Sequence, residues 1–303
     1  MPARRVVLRC IAEAVTAVTQ LMVTTLSNAS IYALIAVSLN IVYRSSGVLN
    51  FGAGHLAAVA GIFYANEISG SAIGVVVAMA VTAVVSLLAY FVAVQGGARL
   101  GVGRVQLSLS LLGVGLVLQF AAGELWAKQA FTARPVIAGT LNVAGTTFAT
   151  QRVAAVAVAA VFVLAIVLFV ERTMVGHAME ATADDRELAE LYGVRTGSVA
   201  IATWLIAGAA LGLAGVLQSS LAAVSTSSAL PLVILGIVAA VVGGLGSFSS
   251  AVAGAVVTAL LQAAFVQYVS PDYSISFVFI LLFAVLVLRP AGLFANARTA
   301  ERV

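Results

Sequence analysis

Charge is scarce in this sequence. Only 9% of its 303 residues are charged, against 62% hydrophobic, where a soluble domain carries about 25% charged residues. That scarcity excludes an ordinary water-soluble fold. Cysteine is nearly missing: Cys10 stands alone, which excludes an internal disulfide and a thiolate metal cage. No Gly-x-x-x-x-Gly-Lys-Ser/Thr phosphate loop occurs, so any ATP-driven step needs a separate chain. Ser-His-Asp and His-Glu-x-x-His arrangements are missing too. His55 alone is no metal site, because the other histidine, His177, lies far away in a charged segment. No catalytic residue, metal or cofactor is therefore expected.

What is present are continuous apolar runs. Several reach 18 residues or more, the length that crosses about 30 Å of hydrocarbon. A membrane barrel needs alternating segments of about ten residues, which these are not. Expected spans are 20–42, 72–95, 105–123, 153–171, 199–223, 229–247, 251–269 and 274–289. Segment 48–67 is apolar but short and interrupted. The expected fold is all-α: a polytopic transmembrane helical bundle of about eight crossings plus that short broken or re-entrant segment, in one domain over 1–303. Met1 to Arg9 carries three arginines, but no cleavage site follows, so this reads as an uncleaved first span.

The net charge is +4, with fourteen arginines and Lys128. The tendency of basic loops to stay cytoplasmic explains that excess better than nucleic acid does. With 171–198 inside and 48–67 re-entrant, eleven basic residues fall inside and four outside. If 48–67 crosses fully, the N-terminus moves outside and Arg44 moves in. The count favours re-entry.

Residues 171–198 form a charged island: Glu171, Arg172, Glu180, Asp184, Asp185, Arg186, Glu187, Glu190 and Arg195. Eighteen apolar residues, Val153 to Val170, precede it, and no charged residue follows until Asp272. Such a segment is costly to thread through a bilayer and belongs in water. Gly176 and Gly193 bracket about 16 residues that read as one helix, with Ala178, Ala181, Ala189 and Tyr192 on one face. That face suits close approach by a partner; the plainer alternative is a solvated surface helix.

Four places in the chain resemble one family. Gly176-x-Ala178-x-x-Ala181 followed by Ala189-x-x-x-Gly193-Val194 is similar to the cytoplasmic coupling segment of ABC-importer permeases. Tyr32-Ala33-Leu34-Ile35-Ala36 with Asn40 and Val42-Tyr43, and Leu49-Asn50-Phe51-Gly52, narrow it to the branched-chain amino acid permeases. Gly243-Gly244-Leu245-Gly246-Ser247 and Arg289-Pro290-x-Gly292-Leu293-Phe294 resemble the same family's C-terminal half. The chain departs from the pattern at Ala53 and His55, at Arg44 where Gly is common, and at Glu180 where Arg is frequent.

The resemblance implies a permease subunit of a binding-protein-dependent importer in the bacterial inner membrane. Its partners would be cytoplasmic ABC ATPase subunits, docked on 172–198 through Gly176, Ala178, Ala181, Ala189, Tyr192 and Gly193. A second homologous permease, an extracytoplasmic solute-binding protein and membrane lipid complete the set. The implied substrates are branched-chain amino acids or a related small polar solute.

Polar groups at membrane depth face cavities or hydrogen-bond across helices. Both readings stay open for Asn28, Tyr32, Asn50 and His55, with Phe51 beside them. Glycine interruptions at Gly52/Gly54 and Gly243/Gly244 either line a central site between broken helices or serve tight turns. The uncharged stretch up to Asp272 argues against an ion-coupled carrier. A stand-alone channel or carrier for a solute such as urea or a short amide is the alternative; a scaffold or membrane enzyme is weaker still.

Overall fold

The computed structural model describes residues 2–126, 129–143, 146–245, 247–289 and 291–294, with side-chain surroundings from residue 15 onward except at 143 and 146. Lys128, Gly246, Pro290, Arg298 and Arg302 lie outside the described residues, as do the side chains of Arg4, Arg5 and Arg9. The chain is an all-α bundle. In order it forms α1 (Pro2–Ser46), α2 (Ala53–Phe63), α3 (Ala72–Ala89), α4 (Gly96–Arg99), α5 (Arg104–Trp126) and α6 (Thr150–Arg172). Then come α7 (Met174–Asp184), α8 (Arg186–Leu191), α9 (Thr196–Leu221), α10 (Ala229–Gly243), α11 (Phe248–Tyr268) and α12 (Ser274–Leu288). One antiparallel hairpin, β1 (Thr140–Val143) with β2 (Thr146–Ala149), pairs Thr140 with Ala149 and Val143 with Thr146.

Among the described residues, seven helices are long and apolar enough to cross a membrane, and α12 is a shorter apolar helix. Their packing follows bilayer rules. On α6 the buried residues Ala155, Ala159, Val163, Ile166 and Val170 recur every three or four positions, one helical face. The other face exposes Val158, Val161, Leu164 and Leu168, which suits lipid and not water. Lipid offers no hydrophobic drive between helices, so contact depends on small residues. On α9, a Cβ at Gly208 would lie 2.6 Å from the Ala83 Cα of α3. One turn earlier, Trp204 is fully buried against the Tyr90 ring, with centroids 5.5 Å apart.

Side-chain pairs give each helix its direction. At one end of α1, Arg44 Nη2 lies 3.3 Å from Glu180 Oε1, so the C-terminus of α1 sits at the island. Further back on α1, the Ala17 carbonyl accepts from Gln267 Nε2 at 3.4 Å, near the far end of α11. The N-terminal part of α1 thus lies opposite the island.

Segment 48–67 is short and broken, as expected, but it runs the length of the bundle. Leu49 N–H donates to Ser108 Oγ at 3.1 Å near the start of α5. Eighteen residues later, Glu67 Oε1 accepts from Trp126 Nε1 at 2.7 Å at the end of α5. Ser108 to Trp126 is also eighteen residues, about 27 Å of helix at 1.5 Å per residue. Re-entry, which the basic-residue count favours, is therefore corrected to a full traverse. A non-helical entry over 47–52 and a π-helical turn over Tyr64–Ile68 supply the length that α2 lacks. Most of α2 is buried in protein, which shields that irregular backbone from lipid. Arg44, Arg99, Arg104 and Arg289 then share the island end, and Arg134 and Arg152 the other.

Candidate functional site

Two broken helices meet inside the bundle. Asn50 Oδ1 accepts the Gly52 N–H at 3.0 Å and fixes the bend that feeds α2. Gly52 presses on α5, where a Cβ would come 2.6 Å from the Leu111 carbonyl oxygen. Gly54 presses on α10, where a Cβ would come 2.6 Å from the Ala229 oxygen and collide with the Val233 backbone. The first turns of α2 and α10 thus lie side by side. From there α2 leaves for Trp126 and α10 for the island end, so two positive helix N-termini sit at mid-bundle.

Buried polar atoms accompany them. Asn50 and His55 are each 1% exposed, and Asn50 Nδ2 and His55 Nδ1 have no hydrogen-bond partner in the protein. His55 packs on Gly115 of α5, and Phe51 is half-buried beside it. Unsatisfied buried groups are rare and call for water or a solute.

The bend ahead of α10 was not singled out from the sequence. Ser225, Thr226, Ser227 and Ser228 interrupt the chain between α9 and α10, with a capping box between Ser225 and Ser228. Pro231 follows in the first turn of α10, where its missing N–H costs no helical bond. Four consecutive hydroxyl residues against an apolar run were the available signal. Val224 is tied to Phe131 of the 127–149 segment by paired 2.8 Å backbone bonds.

Tyr32 lies elsewhere, on the seam between α1 and α11, with Asn28 one turn before it on α1. Tyr32 Oη donates to Gln262 Oε1 at 2.6 Å, with both residues buried. Thr258, one turn from Gln262, keeps a buried hydroxyl without a protein partner. Gly243 and Gly244 form a third place, the tight turn from α10 to α11 at the island end. Gly244 has φ +110°, a Cβ on Gly243 would reach 2.8 Å from the Ala251 Cα, and Leu293 N–H donates to the Val242 oxygen at 2.8 Å. These glycines do not meet those at Gly52 and Gly54.

The island is folded, but as two helices and not one. Thr173 Oγ1 caps α7 by accepting the Gly176 N–H at 3.1 Å. Asp185 is extended and starts a second helix, accepting the Leu188 N–H at 3.0 Å. A short acidic side chain that captures backbone N–H groups favours such a cap over a helix interior. Gly193 ends α8 with φ +86°. Thr196 Oγ1 donates to Glu190 Oε1 at 2.6 Å, and Arg186 Nε donates to the same oxygen at 3.2 Å. The Thr196 hydroxyl first, then Arg186, holds the Glu190 carboxyl below its ordinary value.

The expected alanine face divides on this surface. Gly176 and Ala189 are buried and Ala178 is half-buried. Ala181, Tyr192 and Gly193 are exposed. Met174, Leu191 and Tyr192 are each more than four-fifths exposed; the helical spacing pointed to Tyr192, but not to Met174 and Leu191.

Arg44 and Glu180, two of the departures noted in the sequence, meet each other here. The Arg44 guanidinium also stands 5.3 Å from the Phe248 ring centroid at the start of α11. His177 Nδ1 lies 3.9 Å from the other Glu180 oxygen.

Comparison with known proteins places this geometry. The family described as branched-chain amino acid transport system / permease component matches residues 21–286. The high-affinity branched-chain amino acid transport system permease protein LivH of Escherichia coli (strain K12) is 27% identical over 281 residues, covering 87% of this chain and 91% of that protein. The corresponding permease protein BraD of Pseudomonas aeruginosa is 25% identical over 300 residues, covering 90% and 94%. A chain in the structure of PsaBC from Streptococcus pneumoniae in complex with Fab aligns at 15% identity and TM-score 0.48, over 92% and 94% of the two chains.

Proposed function

Because the chain belongs to the branched-chain amino acid transport permease family, we propose that it is the membrane-spanning permease subunit of an ABC importer. Its cargo is a branched-chain amino acid or a related small polar solute, and its energy comes from a separate ATPase chain. The island lies in the cytoplasm of a bacterial cell and the 127–149 segment faces outward, where a solute-binding protein delivers cargo. A second homologous permease completes the assembly. All of 1–303 acts as one permease domain, with 172–198 as its coupling segment.

The observation that carries this reading is the island surface. Met174, Leu191 and Tyr192 project from two capped helices at one end of a bundle otherwise poor in charge. Exposed aromatic and aliphatic residues ringed by acids are what a docking partner buries. The uncharged helices α9 to α11 leave no ionisable group there for ion coupling. The mid-bundle meeting of α2 and α10 supports a solute with a carboxylate, since both helix N-termini attract negative charge. Asn28, Tyr32, Asn50, Phe51, His55, Gly243 and Gly244 are the proposed pathway residues.

Gentle extraction of the tagged chain from its native membrane tests the assembly. Stoichiometric copurification of a nucleotide-binding ATPase and a second permease is the expected result. A single clean chain after crosslinking would move the weight to a stand-alone channel or carrier. Ala181→Asp and Tyr192→Asp should each release the ATPase; normal ATP-coupled uptake in those variants would remove the docking role.

A further inference from the structure

We propose that Arg44, Glu180 and Phe248 form a latch that carries movement of the island into the bundle. The inference rests on the coupling reading of 172–198 and adds the route by which that segment acts.

Glu180 belongs to α7, but it faces α1. Its Oε1 is 3.3 Å from Arg44 Nη2, in the last turn of α1. Arg44 simultaneously covers the Phe248 ring at the start of α11, 5.3 Å from its centroid. A small cleft lined by Ile41, Arg44, Val170, Met179, Glu180 and Phe248 borders the contact. One guanidinium therefore ties three elements together: the island, the end of α1 and the start of α11.

The two membrane helices it grips are joined again farther in. Tyr32 on α1 donates to Gln262 on α11 at 2.6 Å. Arg44 lies twelve residues from Tyr32, about 18 Å of helix, and Phe248 fourteen from Gln262, about 21 Å. The two ties close a frame whose sides are antiparallel helices of nearly equal length. A force on α7 then moves α1 and α11 as one body.

The ion pair is unsuited to a mainly stabilising role. Glu180 is 45% exposed and Arg44 25%, and exposed pairs contribute little to stability. Its geometry matters more than its strength. Arg44 has one partner on the island and another in the bundle, and a planar guanidinium can serve a carboxylate and a ring at once.

The experiment uses the complete assembly in membrane vesicles. Cys10→Ala removes the native thiol, and Gln267→Cys places a reporter at the far end of α11, where Gln267 is exposed. Maleimide labelling is followed with and without ATP, beside ATP hydrolysis and copurification of the ATPase. Arg44→Gln, Arg44→Glu and Glu180→Arg should each cut the ATP-dependent change in labelling rate at least about fivefold, the low end of allosteric coupling. The ATPase should still copurify with the Arg44 variants and hydrolyse ATP. Arg44→Glu combined with Glu180→Arg should recover most of the change, and Arg44→Gln with Glu180→Gln should not. That contrast separates a charge-specific tie from misfolding, which a swap does not repair.

An undiminished response in the single variants overturns the latch and leaves the docking reading intact. Loss of the ATPase from the Arg44 variants also overturns it, by making the contact part of docking. No ATPase with the unaltered chain overturns the importer reading and the latch with it. No recovery in the swapped pair, when the singles assemble and hydrolyse ATP, overturns the charge pairing.

Discussion

The mid-bundle junction of α2 and α10 and the island of α7 and α8 solve opposite problems. At the junction two backbones touch with nothing between them, because Gly54 leaves room for the Ala229 carbonyl and the Val233 backbone. The island packs through a few residues, Gly176, Thr182 and Ala189 among them, and leaves Met174, Leu191 and Tyr192 exposed; caps at Thr173 and Asp185 and the Glu190 cluster define its shape. The junction is specified by what glycine omits, the island by what polar side chains add. Packing without space tolerates no new atom. A capped surface helix loses a fraction of its stability at a time. The same substitution should therefore have opposite signs in the two settings.

Glycine to alanine makes that contrast sharpest. Gly54→Ala inserts a Cβ against backbone, which cannot rotate away, and should cost at least the roughly 1–3 kcal/mol of overpacking. Gly197→Ala, in the first turn of α9 beside the island, meets nothing within 4 Å. There alanine should be neutral or stabilise by about 0.4–1 kcal/mol. Melting of purified protein in detergent reads both. A Gly54→Ala protein that melts with the parent would show that α2 and α10 are not in backbone contact.

Asp185→Ala comes next. It deletes the side chain that begins α8 and leaves the Leu188 N–H to water, at a cost of about 1 kcal/mol. Since α8 packs lightly on the bundle, the change should stay local. Proteolysis between α7 and α8 should quicken several-fold while the melting temperature of the bundle holds. If the bundle melts earlier as well, island and interior form one cooperative unit and the comparison collapses.

The two regions were also unequally legible in the sequence. Long apolar runs gave the bundle directly, because a helix with lipid on one side must be apolar over its whole length. The island's limits were equally plain, from charge. Segment 48–67 was harder. Its length is hidden in a non-helical entry and a π-helical turn, and counting arginines is a bias on loops and says nothing about depth. Its true course is set by Leu49 on Ser108 and Glu67 on Trp126, contacts between residues 59 apart in sequence. The break at Asp185 was legible in kind, since adjacent aspartates favour caps, but the good helix formers around it outweighed that signal. The serine-rich bend before α10 resembles an ordinary loop until α2 is seen against it. Asn50 and His55 are conspicuous in sequence, but their separation from Tyr32 depends on which helices α1 and α2 face.

The smallest effect expected is a pH dependence confined to the island. Glu190 accepts from Thr196 and Arg186, and these hydrogen bonds favour the ionised carboxylate, so its folded value lies below the ordinary 4.5. A lowered folded value means that the unfolded segment binds the proton more readily. The contribution is therefore complete above the ordinary value and fades as pH falls through the depressed one. Amide exchange at Leu188 to Thr196, corrected for its intrinsic pH dependence, should be steady near neutrality and rise below about pH 4.5, the unshifted value. Glu190→Gln should remove that rise and leave the α2–α10 junction unaltered. A matching acid response at the junction would mean that protons act on the interior, where the described residues of α2 and α10 offer no carboxylate. The island's polar cluster would then no longer be the acid-sensitive part of the molecule.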